Sequence, residues 1–306
     1  MPNVNVKHNL HLHLIVFIWG FTAILGKLIS LEALPLVWWR MTIAVCLIFG
    51  YILYKRYDLK ISKKDIILLL LSGLVIALHW FTFFKAIKVS NISITLACLS
   101  TGAFFTSILE PIFYKRKMVW YEILFGLIVL FGLYFVVESS EPNFISKSIN
   151  SDLTGTMQGV LLALTSAFLS ALFSVINGKF AQRIESTIIS FYELLGGVLF
   201  FSLFLLFSGQ LDGNFFSLKL EDLIWLSILA SICTAYAFIA SVSVMRFISP
   251  YTVMLTINLE PVYGIALAVL VFEKNEQMSF SFYIGAAIIL TTVILNGLIR
   301  NHKKSN

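Results

Sequence analysis

Ionisable side chains are scarce inside the apolar stretches of this chain, and those that do occur there are the residues able to do chemistry. Glu260 stands near the middle of the stretch Tyr251 to Phe272, beside Pro261, whose missing N–H opens a helix and frees a carbonyl. A carboxylate at membrane depth costs at least about 2.5 kcal/mol, so such a residue faces a cavity and handles protons or substrate, or sits protonated against a neighbour such as Thr256. Arg40 can bind a carboxylate bidentately, or snorkel outward past Trp38 and Trp39. His79, next to Trp80, can relay protons near neutral pH or serve structurally. Glu193 can gate a mouth or carry a proton, although a shallow carboxylate is more simply kept wet and paired with a loop cation. Trp19, Trp80, Phe81 and Tyr236 either wall an organic ligand or supply packing bulk.

These residues need a scaffold, and composition says which. Of 306 residues, 59% are hydrophobic, 15% aromatic and 12% charged, with a mean hydropathy of +0.91. A soluble domain carries about twice that share of charge. The sequence is that of an all-α integral membrane protein. The surplus of 22 Lys and Arg over 16 Asp and Glu follows from loop topology and does not point to nucleic acid. Cys46, Cys98 and Cys233 lie in apolar stretches and form no CxxC pair, which argues against disulfides and cysteine-held metal.

Ten stretches are long enough to cross a bilayer: Leu14 to Leu31, Leu34 to Tyr54, Ile66 to Phe84, Ile92 to Tyr114, Val119 to Val137, Met157 to Asn177, Ile188 to Phe207, Leu223 to Val244, Tyr251 to Phe272 and Phe282 to Ile299. The first contains Gly20, Gly26 and Lys27 without a cleavage site and reads as a retained span. With the N-terminus inside, fifteen basic residues fall on the cytoplasmic side and six outside, which predicts both termini in the cytoplasm. The longest loop, Glu138 to Thr156, is too short for a soluble domain, so function sits among the helices.

Two halves are also legible. Gly26-Lys27 recurs as Gly178-Lys179 at an offset of 152, and Trp39-Arg40 as Tyr192-Glu193 at 153. Residues 1–138 and 157–306 thus read as two five-helix repeats joined by the loop 139–156. Five being odd, the copies are inverted, an architecture used by secondary transporters. Around span four, Glu260-Pro261 pairs with Thr101-Gly102 at an offset of 159, in preference to Glu110-Pro111 at 150. Thr101 and Gly102 thereby join the candidate site, with Gly102 and Pro261 as helix breaks. Glu110 is read as structural, neutralised by Lys115, Arg116 and Lys117.

Lys27 and Lys179 read as caps on the last carbonyls of their helices. Ser166, Ser170 and Ser174 in span six, and Ala230, Thr234, Ala237 and Ser241 in span eight, read as small-residue packing ridges. Gly20 to Lys27 fails as a phosphate loop for want of the spacing and a preceding strand. His8, His11 and His13 lack a fourth ligand and read as solvated interfacial residues, so no metal or other cofactor is expected.

Trp19-Gly20 with Lys27, Trp39-Arg40, Ala86-Ile87-Lys88, Glu260-Pro261, Glu273 and Gly285 together resemble the EamA family of the drug/metabolite transporter superfamily. Members carry a mid-helix proline and a later acidic residue in both copies; here span nine has Pro261 and Glu273, whereas span four has Gly102 and Tyr114. The resemblance implies a multi-pass carrier of the cytoplasmic (inner) membrane, an exporter of small organic metabolites or amino acids working by alternating access. Proton coupling would run through Glu260, His79 or Glu193. The partners implied are a small-molecule substrate, the lipid bilayer and protons, with room for a homodimer. An exchanger of phosphorylated or nucleotide-linked sugars is the alternative, although it calls for more deep cations than Arg40. An intramembrane enzyme lacks its residues, and a channel is the less natural use of inverted repeats.

Overall fold

The structure, a computed structural model, describes residues 2–115, 117–118, 120–140, 155–213, 215–272 and 278–305. Residues 141–154 of the long loop, including Lys147, lie outside the described residues, as do Arg116, Glu273 and Lys274 and the side chains of Arg300, Lys303 and Lys304. Every regular element described is a helix. Eight are long and apolar enough to span a membrane: α1 (Lys7–Leu28), α2 (Ala33–Lys55), α3 (Lys63–Val89), α4 (Ile92–Tyr114), α6 (Gly155–Phe180), α7 (Ser186–Phe207), α8 (Leu220–Val244) and α9 (Pro250–Phe272). Helices α5 (Trp120–Ser140) and α10 (Phe280–Ser305) contain shorter apolar cores, Leu124–Val136 and Phe280–Thr292. Large apolar side chains such as Phe207 and Leu270 stand 85% and 75% exposed, a surface that suits acyl chains and not water.

Helix starts follow the capping residues. Ser62 accepts the Asp65 N–H at 3.1 Å and donates to the Asp65 carboxylate at 2.8 Å, and Glu185 accepts from the N–H groups of Thr187 and Ile188. Asn91 caps α4 and Ser249 caps α9 in the same way. The helical run opens well before Leu14, at Pro2, so the amino-terminal histidines lie on a helix. They are not uniformly solvated: His8 stacks on Phe247 at 3.8 Å, and His11 shares a 3.0 Å hydrogen bond with the Tyr236 hydroxyl. Among the described residues no His, Cys, Asp and Glu gather into a metal-sized group.

Two helices are broken at matching places. Helix α4 stops at Leu99 and resumes at Gly102; α9 stops at Ile257 and resumes at Glu260. All four boundaries of the pair are 158 residues apart. This sets Gly102-Ala103 opposite Glu260-Pro261, one residue from the register expected above, and leaves Glu110 without an acidic counterpart. Helix α1 breaks at Phe21, and α8 widens into a π-helical turn over Ser231–Tyr236.

Packing is organised around α3, α6 and α7. Helix α3 runs against α6 and α7, α4 against α6 and α9, α2 against α7 and α8, α1 against α8 and α9, and α5 against α10. Glycines let backbones meet: a Cβ on Gly73 would collide with the Glu193 carbonyl oxygen, one on Gly196 with that of Leu70, and one on Gly285 with that of Gly132 at 2.6 Å. Adding or subtracting five from each helix number maps every one of these pairings onto another in the set or onto itself.

Candidate functional site

Residues beside the helix breaks, among them Trp19, Thr22, Leu99, Ile257 and Glu260, converge on a central cavity of about 70 Å³. Arg40, His79, Trp80, Trp19 and Glu260 all line it, which brings together five of the residues singled out from sequence. Arg40 reaches it from α2 and is 1% exposed, so it does not snorkel. Its Nε donates to Thr234 Oγ1 at 2.6 Å, and its guanidinium lies 3.9 Å from the centroid of the Trp80 ring. Thr234 sits in the π turn over Ser231–Tyr236, and its hydroxyl in turn donates to the Leu229 carbonyl at 2.7 Å. Arg40 Nη1 is buried with no hydrogen-bond partner, a donor available to a ligand anion.

Glu260 begins the second half of α9, so helix breakage places its carboxyl at the cavity wall, 6% exposed. It lies within electrostatic reach of Arg40, which makes the site dipolar, with one cation and one carboxyl among aromatic walls. His79 is held by α6: its Nδ1–H donates to the Ser166 carbonyl at 2.9 Å, while Ser166 Oγ donates to the His79 carbonyl at 3.1 Å. With the proton on Nδ1, Nε2 is the acceptor nitrogen. Trp19 is oriented by donating its indole N–H to the Cys233 carbonyl at 3.1 Å.

Other candidates stand elsewhere. Tyr236 is 45% exposed and faces a separate groove of about 540 Å³ with His11, Tyr51, Tyr57 and Glu185. Thr101 is buried and bonds the Cys98 carbonyl within the α4 break, while Gly102 admits the Met254 methyl at close range. Glu193 is fully buried between α3 and α6, bonded to Ser72 and Asn177 and, among the described residues, to no loop cation, because Gly73 draws α3 over it. Glu110 is buried away from the cavity. Ser170, Ser174 and Ser241, read from sequence as packing ridges, line the cavity. The ridge spacing was the signal for them, since the residues that permit close approach also leave hydroxyls facing the gap.

Above and below the cavity the chain is latched. At the end opposite the lysine- and arginine-rich loops, Asp222 accepts from Ser30 N–H and Ser30 Oγ, each at 2.6 Å, and Lys88 donates to the Ile29 carbonyl at 2.6 Å. At the basic end Asp65 pairs with Arg183 at 2.6 Å, and Arg246 donates to the carbonyls of Ala181 and Ile184. Asp65 and Asp222 are 157 residues apart, Lys88 and Arg246 158, Ile29 and Ala181 152. The same device therefore closes both ends. Lys27 over the Phe272 ring and Lys179 over that of Tyr114 repeat the pattern, at 4.6 and 5.4 Å, as ring contacts to the neighbouring helix.

A multi-pass helical bundle with a small, dipolar, aromatic-walled cavity among its helices and a latch at each end has the build of a membrane transporter. The chain belongs to the EamA-like transporter family, whose model matches residues 8–138 and again 157–298. An uncharacterized transporter of Archaeoglobus fulgidus is 25% identical over 301 residues, spanning 95% of this chain and 98% of that one. One solved crystal structure of a protein superposes with a TM-score of 0.68 at 14% identity, over 96% of this chain and 98% of the other, which is a likeness of fold.

Proposed function

We propose that the protein is a gradient-driven exporter of small zwitterionic metabolites, amino acids among them, working by alternating access. The observation that carries this reading is the central cavity, where the unpartnered Nη1 of Arg40 suits a substrate carboxylate and Glu260 an ammonium group. Trp19, Trp80 and Phe238 supply apolar walls. The cavity is small beside the roughly 300–1,000 Å³ of occupied ligand pockets, so substrate enters as one latch opens and the walls part. Two family matches in one chain, the paired breaks and the mirror-related latches support two inverted repeats, residues 1–138 and 157–306, that rock about the site. The bias of basic residues supports placement in the cytoplasmic membrane with both termini inside. Phosphorylated or nucleotide-linked sugars fit less well, because Arg40 is the sole Lys or Arg among the described cavity-lining residues.

The test is uptake of a pooled amino-acid and metabolite library into proteoliposomes, with and without a pH gradient, for the native protein, Arg40→Gln and Glu260→Gln. Saturable flux that accelerates with the gradient and falls at least tenfold in either variant is expected. Flux that does not saturate would make the protein a channel, and no flux for any zwitterion would overturn the substrate assignment.

A further inference from the structure

Glu193 raises a question that the central cavity does not answer. It is 0% exposed, and its Oε1 already accepts two hydrogen bonds, from Ser72 Oγ at 2.7 Å and from Asn177 Nδ2 at 2.9 Å. Its Oε2 and the Asn177 Oδ1 are both buried and without a donor. The groups that face it are Ser72 from α3 and Asn177 from α6; from α2 and α8, which also pack on α7, no charged or titratable side chain reaches it among the described residues. Glu260, by contrast, has Arg40 across the cavity. A bare carboxylate in such surroundings carries a large desolvation cost, offset by the two hydrogen bonds to Oε1 and, among the described residues, by no countercharge. The carboxyl and the amide, already joined by one hydrogen bond, thus each keep one acceptor without a donor.

We propose that Glu193 is a proton-binding site, occupied in this state by a proton on Oε2 that donates to Asn177 Oδ1 and closes a two-bond acid–amide ring. One hydrogen then satisfies both orphaned atoms. The step is simple: hydronium gives its proton to the carboxylate and leaves as water, and the reverse follows when water reaches the carboxyl. Asn177 sits one turn from Ser174 on α6, and Ser174 lines the central cavity with its own hydroxyl unpartnered. Movement of α6 against α7 would therefore expose Glu193 toward the cavity or bury it again. Glu193 also occupies in α7 the place that Arg40 holds in α2, 153 residues earlier, and each reaches a helix distant in sequence, Arg40 to Thr234 on α8 and Glu193 to Ser72 on α3. One half of the molecule thus presents a fixed cation and the other a group that can gain or lose charge. Use of this proton to drive transport rests on the carrier reading above, whereas its presence at Glu193 does not.

Infrared difference spectroscopy on the reconstituted full-length protein at neutral pH tests the occupancy without any substrate. The carbonyl stretch of a protonated, hydrogen-bonded carboxylic acid is expected in the native protein, to persist in Glu260→Gln apart from any Glu260 contribution, and to vanish in Glu193→Gln. If Glu193→Gln removes only a carboxylate band, the proposal is overturned. Glu193→Gln retains an amide donor in place of the proton and is expected to melt close to the native protein at neutral pH; a Glu193→Asp variant, which still carries a titratable acid, should keep a shifted acid band if Glu193→Gln fails to fold. In proteoliposomes the acceleration of uptake by a pH gradient should fall at least tenfold in Glu193→Gln. An acid band with no flux for any library member would refute the carrier reading and leave the proton site standing.

Discussion

The latch at the far end offers the sharpest test of how the molecule moves. Asp222 is 3% exposed and holds Ser30 through two 2.6 Å hydrogen bonds, one to the backbone N–H and one to the hydroxyl. Bonds to a charged group contribute about 1.5–3 kcal/mol each, and asparagine retains one acceptor while losing the charge and the second, so Asp222→Asn should weaken the closed latch by about 2 kcal/mol. At 1.4 kcal/mol per tenfold, that is about a 30-fold shift toward the state open at this end. The assay is labelling of a single cysteine, Ser170→Cys in the cavity, after replacement of Cys46, Cys98 and Cys233, with a membrane-impermeant thiol reagent applied from the Ser30 side. The rate should rise toward the 30-fold figure in Asp222→Asn, and the same label from the basic end should slow. Unchanged rates from both sides would mean that Asp222 is a static cap and not a latch. In the basic-end pair Asp65–Arg183 the arginine side chain is 51% exposed and the aspartate 14%, so water competes for the arginine and Asp65→Asn should change accessibility less than Asp222→Asn.

Two further outcomes follow from the packing. Gly73→Ala places a methyl group against the Glu193 backbone carbonyl and should destabilise the protein by about 1–3 kcal/mol, read as a lower melting temperature in detergent, while Gly50→Ala, with open space around it, should leave the melting temperature unchanged or slightly raised. Thr234→Val removes the acceptor of Arg40 Nε and leaves two of its donors bare; substrate affinity in a binding assay should fall about tenfold or more as the guanidinium loses its orientation, and unaltered affinity would show that stacking on Trp80 suffices.

That the chain is a membrane protein was legible in the sequence alone, because apolar runs of about 20 residues recur along most of its length and a helix of such residues suits hydrocarbon and not water. The proposed repeat rests on a similar local signal, since Gly26-Lys27 and Gly178-Lys179 mark helix ends whatever packs beside them. Arg40, Glu260 and His79 stood out because a polar group in hydrocarbon demands an explanation. What they meet could not be read from spacing. Arg40 finds Thr234 only because α8 widens by one residue into a π turn, and Glu260 reaches the cavity only because α9 breaks just before it. Glu193 was expected to stay wet near its helix end, yet the absence of a side chain at Gly73, 120 residues away in sequence, lets α3 lie over it and exclude water. Depth along one's own helix is a local quantity, fixed by counting residues. Burial depends on which neighbour approaches and how closely, and that was settled only when the bundle packed.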